Sequence, residues 1–168
     1  MPIEVRDLSF TYAQGSPFEA KALNKISLSI ADGDFVGLIG KTGCGKSTLV
    51  QLLAALMKPA SGTVLLDGED VFSAKYDRVR LRQRIGVLFQ YPDIQLFENT
   101  VEKDVAFALK HSSLKPDEVK ERTRWALDAV GLDFEQTKDL FPLSLSGGEK
   151  RRVAIAGVLV SKPDILLL

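Results

Sequence analysis

The octapeptide GKTGCGKS, residues 40–47, constrains this chain more than any other stretch. It fits G-x-x-x-x-G-K-[ST] with Gly40, Gly45, Lys46 and Ser47 at the fixed positions. Glycines at this spacing let the backbone curl until several N–H groups face one anion. A helix that begins near Lys46 adds the positive end of its dipole. Lys46 then reaches the β- and γ-phosphates of a nucleotide, and the Ser47 hydroxyl can ligate magnesium. The nucleotide-binding stretch is read as Gly40, Lys41, Thr42, Gly43, Cys44, Gly45, Lys46, Ser47 and Thr48. The flanks agree with this reading. FVGLIG ahead of the loop reads as a strand buried on both faces. KSTLVQLLAALM behind it reads as a helix closed by Pro59.

The rest of the chain supports an α/β core. IEVRDLSFTY and KISLSI alternate as half-buried antiparallel strands do, and GTVLLDGED reads as a short strand with an Asp-Gly turn. RIGVLFQ reads as a second buried strand. From Tyr91 to about Ser144 the pattern turns helical and polar. TVEKDVAFALKH places Val101, Val105, Ala108 and Leu109 on one face. KPDEVKERTRWALDAVGL has Pro116 at its start and Gly131 as a stop. The expected division is an antiparallel flank plus phosphate-loop core over 1–90, a helical insertion over 91–145, and a helix and strand over 146–168.

Composition excludes several classes. Lys plus Arg and Asp plus Glu are both 22, so the net charge of zero gives no broad surface for nucleic acid. Cys44 is the only cysteine, so no internal disulfide forms, which fits a reducing cytoplasm. The longest apolar runs fall short of a membrane span, and MPIEVRDLSF lacks signal-peptide character. Membrane work would therefore need a partner. RVRLRQR, with arginines at every second position, reads as a solvated face; Trp125 reads as core packing.

LSGGEKRRVAIAG opens on a capping box, Ser146 with Glu149 three positions later. Gly147 and Gly148 contradict a purely structural role, because a first-turn glycine costs about 1 kcal/mol against alanine. They make sense where a bulky anion approaches the backbone closely, which makes this helix start a second phosphate site.

LSGGE resembles the signature motif of ABC-type ATPases, whose fold is a P-loop NTPase (RecA-like) core with an antiparallel β flank and a helical subdomain. In that family two subunits pack head to tail, and each ATP lies between one phosphate loop and the partner's signature. The resemblance makes Ser146, Gly147, Gly148 and Glu149 the signature contacts to a partner's ATP. Many relatives carry Gln where Glu149 stands. By the same resemblance, Tyr12 in SFTY stacks on adenine, and Gln90 in VLFQ touches magnesium and the attacking water. Lys46 and Gln90 are then the catalytic residues present, with ATP and magnesium as cofactors and Ser47 and Gln90 as magnesium contacts.

QYPDIQLFENTVEKDVAFA concentrates apolar residues outside regular periodicity, which suggests a contact surface made by Tyr91, Pro92, Ile94, Leu96 and Phe97. PDIQLF followed by TVEKDVAF is similar to energy-coupling-factor transporters, which import vitamins or transition-metal ions. The loop GSPFEAKAL resembles the longer hairpin of the second ATPase type in those transporters. The implied partners are a second ATPase subunit, a transmembrane coupling subunit and a substrate-binding membrane subunit, with the protein peripheral on the cytoplasmic face of the cell membrane. The family pattern continues after a strand like DILLL with a magnesium-supporting Asp and a general-base Glu, so that base is expected beyond Leu168 and the sequence reads as the front part of a longer protein. Competing readings are the ATPase of another ABC importer, a soluble non-transport ABC ATPase, and a binding-only regulator.

Overall fold

A computed structural model describes residues 2–89 and 95–168. The chain forms two compact units, Met1–Arg82 and Gln83–Leu168, each with its own core.

The first unit is built on an antiparallel sheet. Strands β1 (Ile3–Tyr12), β2 (Ala20–Ile30), β3 (Ser61–Leu66) and β4 (Glu69–Asp70) lie in the order β2-β1-β3-β4. The central strand β1 pairs Ile3 with Ile30 on one side and with Leu66 on the other. Alternation turns Ile3 and Val5 inward, and a register shift between Val5 and Leu8 resets the phase so that Leu8 is buried as well, with Val64 and Leu66. Helix α1 (Lys46–Leu53) buries Thr48, Leu49, Leu52 and Leu53.

The run 35–40 departs from expectation. It forms no strand, and Phe35 and Ile39 are exposed. A strand exists only through its ladder of backbone hydrogen bonds. Among the described residues, none pairs with this segment, so its apolar sequence alone does not fix the β conformation.

RVRLRQR is helical, forming α2 (Arg78–Arg84). A period of two is not a face on a helix, where successive residues turn by about 100°. Arg78, Arg80 and Arg82 are exposed, whereas Arg84 is half-buried and pairs with Asp164 at 3.0 Å.

The second unit is mainly helical. It comprises β5 (Ile85–Val87), α3 (Val101–Ala106) continued by a 3₁₀ turn (Phe107–Leu109), α4 (Pro116–Ala129), α5 (Phe134–Thr137), a second 3₁₀ turn (Pro142–Ser144), α6 (Gly147–Leu159) and β6 (Ile165–Leu167). Strands β5 and β6 pair in parallel, Ile85 opposite Ile165 and Val87 opposite Leu167. Gly86 permits this pairing beside α6: a Cβ there would lie 2.9 Å from the Pro163 ring and also meet Val158. Val101 and Val105 of α3 pack with Ala126 and Leu127 of α4, Phe134 of α5, and Val153 and Ala156 of α6. Thr100 caps α3 by accepting from the Lys103 amide. Trp125 is not in this core: it is 44% exposed, with the Lys162 ammonium 5.0 Å from its ring.

Phe134 is 1% exposed and Phe18, in the β1–β2 hairpin loop, is 84% exposed. Phe134→Ala is expected to lower unfolding free energy by about 3–5 kcal/mol, and Phe18→Ala to stay within about 0.5 kcal/mol. Urea unfolding of the two variants measures this; equal losses would contradict the assigned core.

Candidate functional site

The glycine-rich stretch 40–47 enters its helix through a left-handed residue. Gly45 is the N-cap of α1 at φ 95° and ψ 7°. A Cβ at this position would meet the Ala22 carbonyl oxygen at 2.7 Å and the Leu23 side chain at 2.9 Å. Only glycine combines this φ with such close seating on β2. Gly43, also left-handed at φ 80°, curls the loop before it.

The helix that follows has an unusual start. Ser146 and Asp133 accept backbone N–H groups at the starts of α6 and α5, and Asp77 does so for α2. The start of α1 has no side-chain cap and no acidic residue in its first turn. Its orphan N–H groups and dipole therefore favour an anion supplied from outside the helix. Lys46 adds a full positive charge at the first helical position. Its ammonium donates to the carbonyls of Gly40 (2.7 Å) and Lys41 (2.9 Å), which holds it over the loop. Ser47 is exposed on the same turn, and Lys41, Thr42 and Gly43 line the exposed rim. These residues fit a polyphosphate.

Tyr12 is brought to this loop from the end of β1. Its hydroxyl lies 2.9 Å from the Thr48 hydroxyl, and its ring meets Phe10 edge-on at 4.9 Å. Tyr12 keeps 42% exposure, so a face remains open for stacking. Thr48 is buried and its hydroxyl is committed to Tyr12, so what it offers a ligand is its backbone N–H rather than its side chain.

The second expected site lies at the start of α6. The Glu149 carboxylate accepts from the Ser146 amide (2.9 Å) and hydroxyl (2.6 Å), while Ser146 Oγ accepts from the Glu149 amide (3.4 Å). These bonds from Ser146 lower the Glu149 pKa, with a smaller contribution from the Arg152 charge. Gly147 and Gly148 are helical, and a Cβ on either would meet nothing within 4 Å. The fold itself gives no reason for glycine at these positions.

Gln90, Tyr91, Pro92 and Ile94 lie outside the described residues. Of the other expected docking residues, Phe97 is 60% exposed and stacks edge-on against Phe107 at 4.7 Å. Leu96 corrects the expectation. It is 6% exposed and sits in the core of the second unit, because the chain turns it inward while Phe97 faces out.

Asp104 escaped the sequence reading. It is 9% exposed and accepts the amides of both Phe97 and Glu98 at 2.9 Å. Its signal is an acid beside Val101 and Val105 on an otherwise apolar face. Among the described residues, no group of three His, Cys, Asp or Glu side chains could hold a metal, and no helix is long and apolar enough to cross a membrane.

Residues 23–168 match the ABC transporter family, a stretch that contains both the phosphate loop and the Ser146 helix start. The chain belongs to the ABC transporter family. The energy-coupling factor transporter ATP-binding protein EcfA2 of Clostridium acetobutylicum is 46% identical over 168 residues, all of this chain and 59% of that protein. EcfA2 of Symbiobacterium thermophilum is 49% identical over 168 residues, again all of this chain and 58% of that protein. The chain thus spans about three fifths of the curated relatives it matches. Among solved ABC structures, cbiO1 of Clostridium perfringens, part of the ABC transporter complex cbiONQ, superposes with a TM-score of 0.84 at 38% identity, covering 98% of this chain and 63% of that one. The dimeric bacterial ABC transporter cassette MJ0796 gives 0.82 at 31% identity, covering 98% and 72%. These likenesses confirm the α/β ABC ATPase fold class.

The capping box sets a pH dependence. A carboxyl with a lowered folded pKa stabilises the fold fully above the ordinary glutamate range, and the contribution is lost as pH falls through the lowered value. Ser146→Ala should raise the Glu149 pKa toward its ordinary value, as read from its carboxyl carbon in an NMR titration. An unchanged pKa would contradict the assigned bonds. At the other site, Cys44 is exposed with its Sγ 3.8 Å from the Lys46 ammonium. Bound ATP should shield Cys44 from thiol reagents; equal labelling with and without ATP would count against the loop as its site.

Proposed function

We propose that this chain is the nucleotide-holding part of an ABC ATPase that couples ATP binding and hydrolysis to import of a micronutrient, a vitamin or a transition-metal ion, through an energy-coupling-factor transporter. The observation that carries the reading is the uncapped, acid-free start of α1, with Gly45 left-handed and Lys46 folded over the loop. A polyphosphate supplies the charge that this helix start lacks.

The roles follow from the chemistry of each group. Gly43 and Gly45 curl the backbone so that N–H groups converge on the β- and γ-phosphates. Lys46 exchanges its bonds to the Gly40 and Lys41 carbonyls for phosphate oxygens, and neutralises charge as the terminal phosphoryl group departs. Ser47 and Gln90 would hold magnesium, which would supply positive charge to offset that of the phosphates. Tyr12 stacks on the adenine.

Ser146, Gly147, Gly148 and Glu149 form the other half of a shared site. Open space at both glycines supports close approach of a partner's ATP, and the dimeric form of the MJ0796 cassette supports pairing of two such chains. A second ATPase subunit then completes each site. Phe97, with Tyr91, Pro92 and Ile94, meets a transmembrane coupling subunit, and a further membrane subunit binds the solute. The protein would lie peripherally on the cytoplasmic face of the membrane. In this scheme residues 1–90 grip the nucleotide, 91–145 carry the docking segment, and 146–168 present the signature helix.

The full-length protein assembled with its partner subunits should hydrolyse ATP, and Lys46→Ala should reduce the rate by about 10²-fold or more. Retention of normal turnover by Lys46→Ala would overturn the assignment.

A further inference from the structure

Asp104 stands out because its burial is explained neither by the helix it sits on nor by an ion pair among the described residues. One oxygen, Oδ2, accepts both the Phe97 and the Glu98 amide, each at 2.9 Å. These amides belong to the irregular stretch ahead of α3, six and seven residues away. The same stretch sets Phe97 edge-on against Phe107, one turn along from Asp104. Asp104, Phe97 and Phe107 together line a cleft of about 160 Å³ whose far side is Val153 and Gly157 of α6.

We propose that Asp104 is a positioning residue for coupling: its Oδ2 pins the amides of Phe97 and Glu98, seats Phe97 on Phe107, and so fixes the surface that meets the transmembrane subunit. The docking role of Phe97 rests on the function proposed above; the pinning itself does not. The feature required is an oxygen acceptor, not a negative charge, since a single oxygen makes both bonds and burial already works against the charged form. A carboxamide oxygen in the same place would serve, and a methyl group would not.

Two variants of the full-length protein separate these requirements. Amide hydrogen exchange reads the pinning directly. In Asp104→Ala, the Phe97 and Glu98 amides should exchange about tenfold faster or more, with α4 and α6 amides unchanged. In Asp104→Asn, both should stay close to wild type. In co-purification with the transmembrane subunit, Asp104→Ala should lose about tenfold in binding while keeping wild-type affinity for ATP, and Asp104→Asn should restore binding. Unchanged exchange at Phe97 and Glu98 in Asp104→Ala would overturn the pinning. So would global unfolding of that variant, because the role is local, and so would Asp104→Asn failing as badly as Asp104→Ala. Failure of the wild-type protein to bind the transmembrane subunit would instead refute the docking reading, and the exchange result would still stand or fall separately.

Discussion

The close seating of Gly45 on β2 is the contact on which the nucleotide-facing geometry depends. At φ 95° the backbone of Gly45 lies close against the Ala22 carbonyl and enters α1 immediately. That turn leaves no residue in position to cap the helix with a side chain. It also puts Lys46 at the first helical position, from which its ammonium folds back over the loop. The anion preference is therefore a consequence of backbone path, with charge added by one residue. Tyr12 is tied to the same place through Thr48, so the loop, the helix start and the aromatic ring are set by one sheet.

The second unit presents a helix start of the opposite kind. Ser146 and Glu149 satisfy each other, so α6 needs nothing further for its own stability. Its glycines meet open space and contribute nothing to packing. On the proposed reading these two helix starts divide the labour: the bare one grips phosphate in its own chain, and the capped one offers a smooth backbone surface to the nucleotide of another. The helices α3, α4 and α6 share a continuous apolar core, so the Ser146 helix start and the segment carrying Phe97 rest on the same packed base.

Features fixed by local chemistry were legible in the sequence. The capping box at Ser146, the Pro116 start of α4 and the glycine turn before α1 each arise from a few adjacent residues, and all are present. Features that depend on distant partners were not. The apolar stretch 35–40 has strand composition, but no ladder partner among the described residues. The arginine alternation read as a solvated face; Arg78, Arg80 and Arg82 are exposed, but the stretch is a helix and Arg84 is half-buried against Asp164. Leu96 and Phe97 look equivalent as a pair of apolar neighbours, and only the packed chain shows that one faces in and the other out. Asp104 showed only as an acid on an apolar helix face; its partners, the Phe97 and Glu98 amides, are backbone groups that the sequence does not single out.

The central claim is that the Gly45 turn makes the anion site. Equilibrium titration of the full-length protein with a fluorescent ATP analogue, comparing wild type with Gly45→Ala, tests it most directly. The account predicts saturable binding to the wild type and at least about tenfold weaker binding to Gly45→Ala, because the added Cβ is strained at this φ and collides with the Ala22 carbonyl. A folded Gly45→Ala protein that binds ATP as tightly as the wild type would contradict it.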